Sequence, residues 1–311
     1  MSQSHWAWPD IKGLHDFRGK LVHTASWDDS LDLTNKRVAV IGAGASAIQV
    51  VPTIQPGKFT IVTMNMKAKE PNRMRELVVK QLFSFHRSPS WIAMEFAGQW
   101  ATEGRNTEYS EKQRRQFRED PEYFLEYRRN IESSMNARFP SFFRYSGAQK
   151  LGVENVSKSM RTRLGNDPEL SKKLIPKFPL GCRRVTPGHG YLEALTKENV
   201  TVETTSISRV TDSGIETADG KLHEVDVIVT ATGYVTSFVP RFPIIGLNGV
   251  NLQEVWRRKA AQGYLSVTVP SMPNYFSKSH HVLKLRHRLM LYNSNDRSQL
   301  SNQQWLAYSC D

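Results

Sequence analysis

Val38-Ala-Val-Ile41 is a short, wholly apolar, β-branched run that delivers the chain into Gly42-Ala-Gly44-Ala-Ser-Ala47. A run of this kind with no polar alternation reads as a strand buried on both faces, which requires a parallel sheet covered by helices. The following stretch, Ser46–Ile54, reads as a helix ended by Pro56-Gly57. Strand, glycine turn and helix in this order predict an α/β, Rossmann-like unit. The small residues each have a reason. The first glycine permits the sharp turn, and the second lets a pyrophosphate approach the backbone. The third position needs a small residue so that helix and strand can close, and Ala47 meets that need. Gly42, Gly44, Ala45, Ser46, Ala47 and Gln49 are therefore the expected contacts of a bound dinucleotide, set at the positive end of the helix. A strand–turn–helix that is only structural is the plain alternative.

The rest of the chain supplies further elements. Residues 1–36 are rich in Trp, Pro and Gly and read as an extended connector. The second strand is either Phe59–Thr63 or Leu82–Phe85, and the polar stretch Asn65–Lys80 between them has no place in a compact βαβ unit. From Trp91 to about Leu170 the chain has helical character. Asp120-Pro121-Glu122 gives an N-cap, a proline at the first helical position and an acid in the first turn. Phe124, Tyr127, Ile131 and Met135 then recur at helical spacing, and Asp167-Pro168-Glu169 repeats the start signal. These helices read as an insertion that builds a lid or substrate wall, or as packing scaffold only. Val200–Thr204 and Ser208–Val210 are β-prone, and Asp219-Gly220 marks a hairpin turn. Val225–Val229 is a buried strand running into Thr230-Ala-Thr-Gly233-Tyr234.

Charge narrows the partners. The formal net charge is +12, which resembles a nucleic-acid footprint. Seven of those charges, however, come from two segments: residues 57–86 carry six Lys/Arg against two acids, and residues 277–311 carry five against two. The remainder is mildly basic, as suits a binder of a phosphorylated dinucleotide, so no nucleic-acid partner is expected. No run approaches the roughly 18 apolar residues of a membrane span. Cys182 and Cys310 form neither a disulfide framework nor a metal-ligand spacing, so no metal is expected and a cytoplasmic setting is the default.

Phe17-Arg-Gly19-Lys-Leu-Val-His23-Thr-Ala-Ser-Trp27-Asp28 fits the pattern F-x-G-x-x-x-H-x-x-x-W-[P/D] and stands just ahead of the glycine turn. In this order the two motifs resemble the type I Baeyer–Villiger monooxygenases, which depend on FAD and NADPH. The resemblance covers roughly residues 5–56 and 86–276. It implies a hinge role for Phe17, Gly19, His23, Trp27 and Asp28, with His23 hydrogen-bonded rather than acting as a general base. His86-Arg87-Ser88-Pro89 resembles the Arg-Thr-Pro stretch of that family. The resemblance implies that Arg87 and Ser88 contact the 2′-phosphate of NADPH, as a bidentate guanidinium can. Phe178-Pro-Leu-Gly181-Cys182-Arg183-Arg184-Val185 is the second match. It implies that Arg183 also reaches the 2′-phosphate and that Arg184 is the catalytic arginine, a permanent cation for the anions formed on the path of oxygen insertion. Cys182 reads as a packed small residue and His189, between two glycines, as a loop residue.

The expected division follows from the same resemblance. Residues 1–36 form a connector carrying the fingerprint, and 37–220 a Rossmann-like NADPH-binding domain with a helical insertion at about 91–170. Residues 221–276 are an incomplete FAD-domain portion, and 277–311 an atypical tail. Nothing before Phe17 supplies the family's first glycine-rich turn, and residues 57–85 and 277–311 depart from its pattern, so a truncated member is expected. The strand Val225–Val229, assigned to the FAD portion, is then expected to lack a neighbour and expose an edge. The implied activity is oxygen insertion beside a ketone carbonyl, using NADPH, FAD and O2, to give an ester or lactone. A terpenoid or polyketide ketone of secondary metabolism is the expected substrate. The alternatives are a non-catalytic NADPH-binding remnant and an NADPH-binding oxidoreductase without oxygen chemistry.

Overall fold

The computed structural model describes residues 5–55, 58–59, 75–76, 79–93, 109–143, 145–183, 185–264 and 267–276. The chain divides into two compact units, one of Pro9–Thr232 and a smaller one from the described residues of 1–8 and 233–311. The expectations for Asn65, Lys67, Lys69, Arg184, the Pro56-Gly57 helix end and the tail at 277–311 lie outside the described residues.

The larger unit is built on a five-stranded parallel sheet. Its sequence-ordered strands are β1 (Lys20–His23), β2 (Arg37–Ile41), β3 (Gln81–Phe85), β4 (Val200–Glu203) and β8 (Val227–Thr230). Their order across the sheet is β1-β8-β2-β3-β4. The second strand is thus Gln81–Phe85, paired with β2 over five residues. Between β4 and β8 lies an antiparallel meander of β5 (Ile207–Val210), β6 (Gly214–Thr217) and β7 (Leu222–Glu224), with Gly220 at φ 83° in the expected hairpin turn.

The strand at Val227–Thr230 corrects the sequence reading. It has a neighbour on each side, Lys20–His23 and Arg37–Ile41, both parallel and each paired over four residues. Val227, Ile228, Val229 and Thr230 are all buried, which is the signature of a central parallel strand rather than an edge. The reading failed because the resemblance assigned this strand to a different domain from Val38–Ile41. The four consecutive buried positions bring the connector strand Lys20–His23 into the same sheet. Thr230 is satisfied in that setting because its Oγ1 donates to the Val22 carbonyl at 3.2 Å. At the opposite edge of the strands, Arg37 ties the register. Its N–H donates to Asp226 Oδ2 at 2.7 Å, while its guanidinium reaches Asp226 at 2.9 Å and Glu224 at 2.7 Å.

Helix α1 (Ala45–Ile54) covers one face of the sheet, burying Ala47, Ile48, Val51 and Ile54. With Val38, Val40, Leu82, Trp91, Met160, Leu164, Leu192, Leu195 and Val229 these make one contiguous core. Each such aliphatic side chain contributes about 1.5–3 kcal/mol of burial. The helical insertion comprises α2 (Glu111–Glu119), α3 (Pro121–Asn136), α4 (Gly147–Arg163) and α5 (Pro168–Leu174). The start signals act as expected: Asp120 accepts from the Tyr123 N–H at 2.9 Å, and Asp167 from Glu169 and Leu170 at 2.8 and 2.9 Å. A short helix, α6 (Tyr191–Leu195), packs on α1 and β4.

The smaller unit centres on α7 (Leu252–Arg258), capped by Asn251, and on a hairpin of Thr268–Val269 with Met272–Phe276. Leu252, Trp256, Ala261, Val269 and Met272 form its core. No helix among the described residues is long and apolar enough to cross a membrane.

Candidate functional site

Parallel strands end at one edge of their sheet, and the five segments that follow them leave there side by side. Backbone bonds fix their spacing: Gly42 N–H donates to Phe85 O at 3.0 Å, Ala231 N–H to Ile41 O at 2.8 Å, His86 N–H to Glu203 O at 2.8 Å, and Thr24 N–H to Thr230 O at 3.1 Å. This is the carboxyl edge, where open α/β sheets bind ligands. The crossing from β2 to β3 leaves on one side of β2 and the return to β8 arrives on the other, so the sequence order reverses beside Gly42.

Gly42 has φ 126°, and a Cβ there would lie 2.5 Å from the Ala231 carbonyl oxygen. A side chain is excluded both by the backbone conformation and by the neighbouring loop. Gly44 caps α1, and among the described residues no side chain caps that end of the helix and a Cβ at Gly44 would meet nothing within 4 Å. The approach to the first N–H groups of the helix is therefore open, as a pyrophosphate requires. Ala47 is fully buried beneath the turn, and Ala45 is exposed and Ser46 half-buried on it. Gln49 is exposed and donates to the Ala45 carbonyl at 2.9 Å, so its amide is anchored at the mouth of the turn.

From β3 the chain continues through His86, Arg87 and Ser88. Arg87 is exposed and Ser88 half-buried. Arg183, far along the sequence, donates from Nη1 to Ser88 Oγ at 2.8 Å, and its guanidinium carbon stands 5.1 Å from the centroid of the Phe178 ring. The two basic segments singled out in the sequence are thus brought together on one rim. Arg184, the remaining member of this set, lies outside the described residues.

The fingerprint residues pack along β1 and β8. The Phe17 ring lies against Gly19: a Cβ there would stand 2.4 Å from Phe17 Cζ and 2.5 Å from the Asp226 carbonyl oxygen. The F-x-G spacing is explained by this close approach. His23 is buried, its Nδ1 accepts from the Ala25 N–H at 3.0 Å, and its Nε2 lies 3.4 Å from Thr232 Oγ1. An acceptor Nδ1 places the proton on Nε2, which then donates to Thr232. Trp27 packs on the main core, and Asp28 pairs with Lys20 at 2.8 Å and Ser30 at 2.5 Å. Those bonds, led by Lys20, hold the Asp28 carboxyl down at about 2.

Three supporting groups escape a reading of the sequence. Phe178 gives Arg183 a ring to rest on. Arg163, at the end of α4, donates from Nε to Glu193 at 2.7 Å and from Nη2 to the Gly188 carbonyl, bracing the loop that follows the arginine pair. Burial opposes ionisation of Glu193, but the Arg163 bond prevails and its carboxyl is held below the usual range. Finally, Ser84, His86 and Tyr191 form a buried polar triangle at the end of β3. The Arg163–Glu193 and His86–Tyr191 pairs are 30 and 105 residues apart, and no sequence motif joins them.

No family model matches the chain. It is 39% identical over 275 residues to the FAD-binding monooxygenase tazF of Aspergillus terreus, covering 88% of this chain and 45% of that protein. It is 33% identical over 291 residues to a Baeyer-Villiger monooxygenase of Pseudomonas aeruginosa, covering 92% and 48%. This chain is related to the Baeyer–Villiger monooxygenases. Its fold matches two solved members of that group. The open crystal structure of cyclohexanone monooxygenase superposes with TM-score 0.65 at 25% identity, covering 88% of this chain and 55% of that one. OTEMO in complex with FAD and NADP gives 0.64 at 27%, covering 88% and 54%. The chain spans about half the length of the Baeyer–Villiger relatives it matches.

Proposed function

We propose that the unit Pro9–Thr232 binds NADPH at the Gly42–Ala47 turn, with its 2′-phosphate on Arg87, Ser88 and Arg183, as part of Baeyer–Villiger oxygen insertion. The observation that carries this reading is the 2.8 Å contact between Arg183 and Ser88. It gathers a guanidinium and a hydroxyl from segments 95 residues apart beside the end of the second strand. In NAD-type sites that place is taken by a carboxylate for the ribose hydroxyls. Glu203, at the end of the neighbouring strand β4, is instead engaged by the Thr204 and Thr205 N–H groups, both at 2.8 Å. The open Gly44 approach fits the pyrophosphate.

When bound, NADPH supplies a hydride. The chain's own residues orient it. The helix terminus holds the phosphates, and the guanidinium of Arg183, steadied by Phe178, holds the ribose end. Arg184 follows Arg183 directly and is assigned the catalytic role, a cation that stabilises negative charge on the substrate oxygen without a proton to lose. The Gly42–Ala47 turn is assigned to NADPH rather than to FAD. His23, donating to Thr232, couples the fingerprint to the segment after β8. The ketone substrate, O2, the absence of a nucleic-acid partner and a cytoplasmic setting are parts of this same proposal.

Calorimetry with 2′,5′-ADP and 5′-AMP tests the binding. Wild-type protein should prefer the doubly phosphorylated ligand by at least about tenfold, since charge-assisted phosphate bonds are the strong ones. Equal affinities would overturn the reading. A flavin absorbance spectrum with NADPH consumption dependent on a ketone tests the oxygen-insertion part separately. A colourless protein that binds NADPH would leave only the dinucleotide site.

A further inference from the structure

His86 is not part of the phosphate rim, yet it is buried and hydrogen-bonded one residue before Arg87. Its side chain is 5% exposed, and Nε2 lies 2.9 Å from Ser84 Oγ and 3.4 Å from Tyr191 OH. The imidazole stacks on the Tyr191 ring, with centroids 6.5 Å apart and planes 18° from parallel. Its backbone is fixed as well, because its N–H donates to the last carbonyl of β4. Alternation along β3 explains the placement: Leu82, Ser84 and His86 share the face toward α6, whereas Phe83 and Phe85 face His223 of the meander. Tyr191 opens α6 and ends the loop that begins at Gly181-Cys182-Arg183. The segments 86–88 and 183–191 are therefore joined twice, at the surface by Ser88–Arg183 and in the core by His86–Tyr191.

We propose that His86, held by Ser84 and Tyr191, is a positioning residue that sets the spacing of Arg87–Ser88 against Arg183 and thereby the selectivity for a 2′-phosphate. This rests on the assignment of the rim to NADPH. Two cationic segments converging on one phosphate must keep a fixed separation, since a guanidinium fork loses its paired geometry when displaced. A surface contact through Ser88 alone is exposed to water and cannot enforce that separation. The buried triangle can, because moving any member leaves a polar atom unsatisfied.

The test compares 2′,5′-ADP and 5′-AMP affinities by calorimetry on the full chain. His86→Phe and Tyr191→Phe should each lower the preference for 2′,5′-ADP by about fivefold, leaving 5′-AMP affinity unchanged. His86→Gln, which keeps an acceptor toward Ser84, should restore most of it. Leu192→Ala, a buried neighbour outside the triangle, is the stability control and should lower the melting temperature without changing the ratio. An unchanged ratio in Tyr191→Phe, which retains the ring and so folds even where His86→Phe does not, would overturn the proposal. So would an equal loss in Leu192→Ala. A wild-type protein without any preference defeats the NADPH assignment itself, and the two failures are distinguishable.

Discussion

The sheet that presents the glycine turn and the helical hairpin α2–α3 belong to the same unit and are stabilised in opposite ways. Val38, Ala39, Val40, Ile228 and Val229 are wholly buried in the sheet. Neither α2 nor α3 contains one buried residue. The hairpin is held by a local aromatic cluster: Phe117 lies 5.1 Å from Phe124 and from Tyr127, and the Tyr109 and Tyr127 hydroxyls are 3.3 Å apart. That bond to Tyr109 raises the Tyr127 hydroxyl to about 12. A turn that must hold pyrophosphate within hydrogen-bond distance needs a rigid floor, and the sheet supplies it. The hairpin carries caps and rings but no core, so its stability is local and low.

The largest effect should come from the sheet. Ile228→Ala removes a fully buried side chain from the strand between β1 and β2 and should cost about 4 kcal/mol. Urea denaturation followed by far-ultraviolet circular dichroism measures it. A cost below about 1 kcal/mol would mean that this strand is not central and that the contrast with the hairpin is false.

A second effect depends on pH. Burial pushes the His86 imidazole down from 6.5 to about 4. The native state keeps it neutral while the unfolded chain protonates it, so between those values the unfolded state binds more protons. Stability is therefore full above about pH 6.5 and falls as the pH drops toward 4, by up to about 3 kcal/mol. His223, also buried and shifted down by desolvation, adds in the same direction. Comparing wild type with His86→Gln across pH 4–7 isolates the His86 share. Parallel curves would show that this imidazole does not titrate differently on unfolding.

Much of this is legible in the sequence, for physical reasons that also mark the limits. Val38–Ile41 followed by Gly42-x-Gly44 specifies strand, turn and helix locally, and Asp120-Pro121 and Asp167-Pro168 specify helix starts by capping chemistry that acts within three residues. The place of Val227–Thr230 is misread from sequence because sheet order is non-local: which strand lies beside Val38–Ile41 depends on how the meander returns. The Ser88–Arg183 contact is anticipated only as two separate phosphate ligands. Phe178, Arg163 and Tyr191 are missed as supports because a cation resting on a ring or a buried triangle has no fixed spacing in the chain.

At the rim, Arg183→Ala should weaken 2′,5′-ADP binding by about 2 kcal/mol, roughly thirtyfold, and leave 5′-AMP binding nearly unchanged. Arg183→Lys should recover only part of this, since an ammonium keeps the charge but loses the fork and the contact with Phe178. Full recovery by lysine would indicate a simple point charge at this position.

The smallest effect should appear in the hairpin. Phe124 is 38% exposed, touches Phe117 and carries Arg128 at 5.7 Å over its ring. Truncation to alanine removes part of one aromatic contact and one exposed cation–π pair, each about 0.5–1 kcal/mol at exposed positions. Global stability should change by less than about 1 kcal/mol, because the hairpin can open without disturbing the sheet. Hydrogen exchange at α2 and α3 should nevertheless accelerate, while the amides of β2 and β8 keep their protection. Equal acceleration in both would show that hairpin and sheet unfold together, and the difference in burial would then carry no difference in stability.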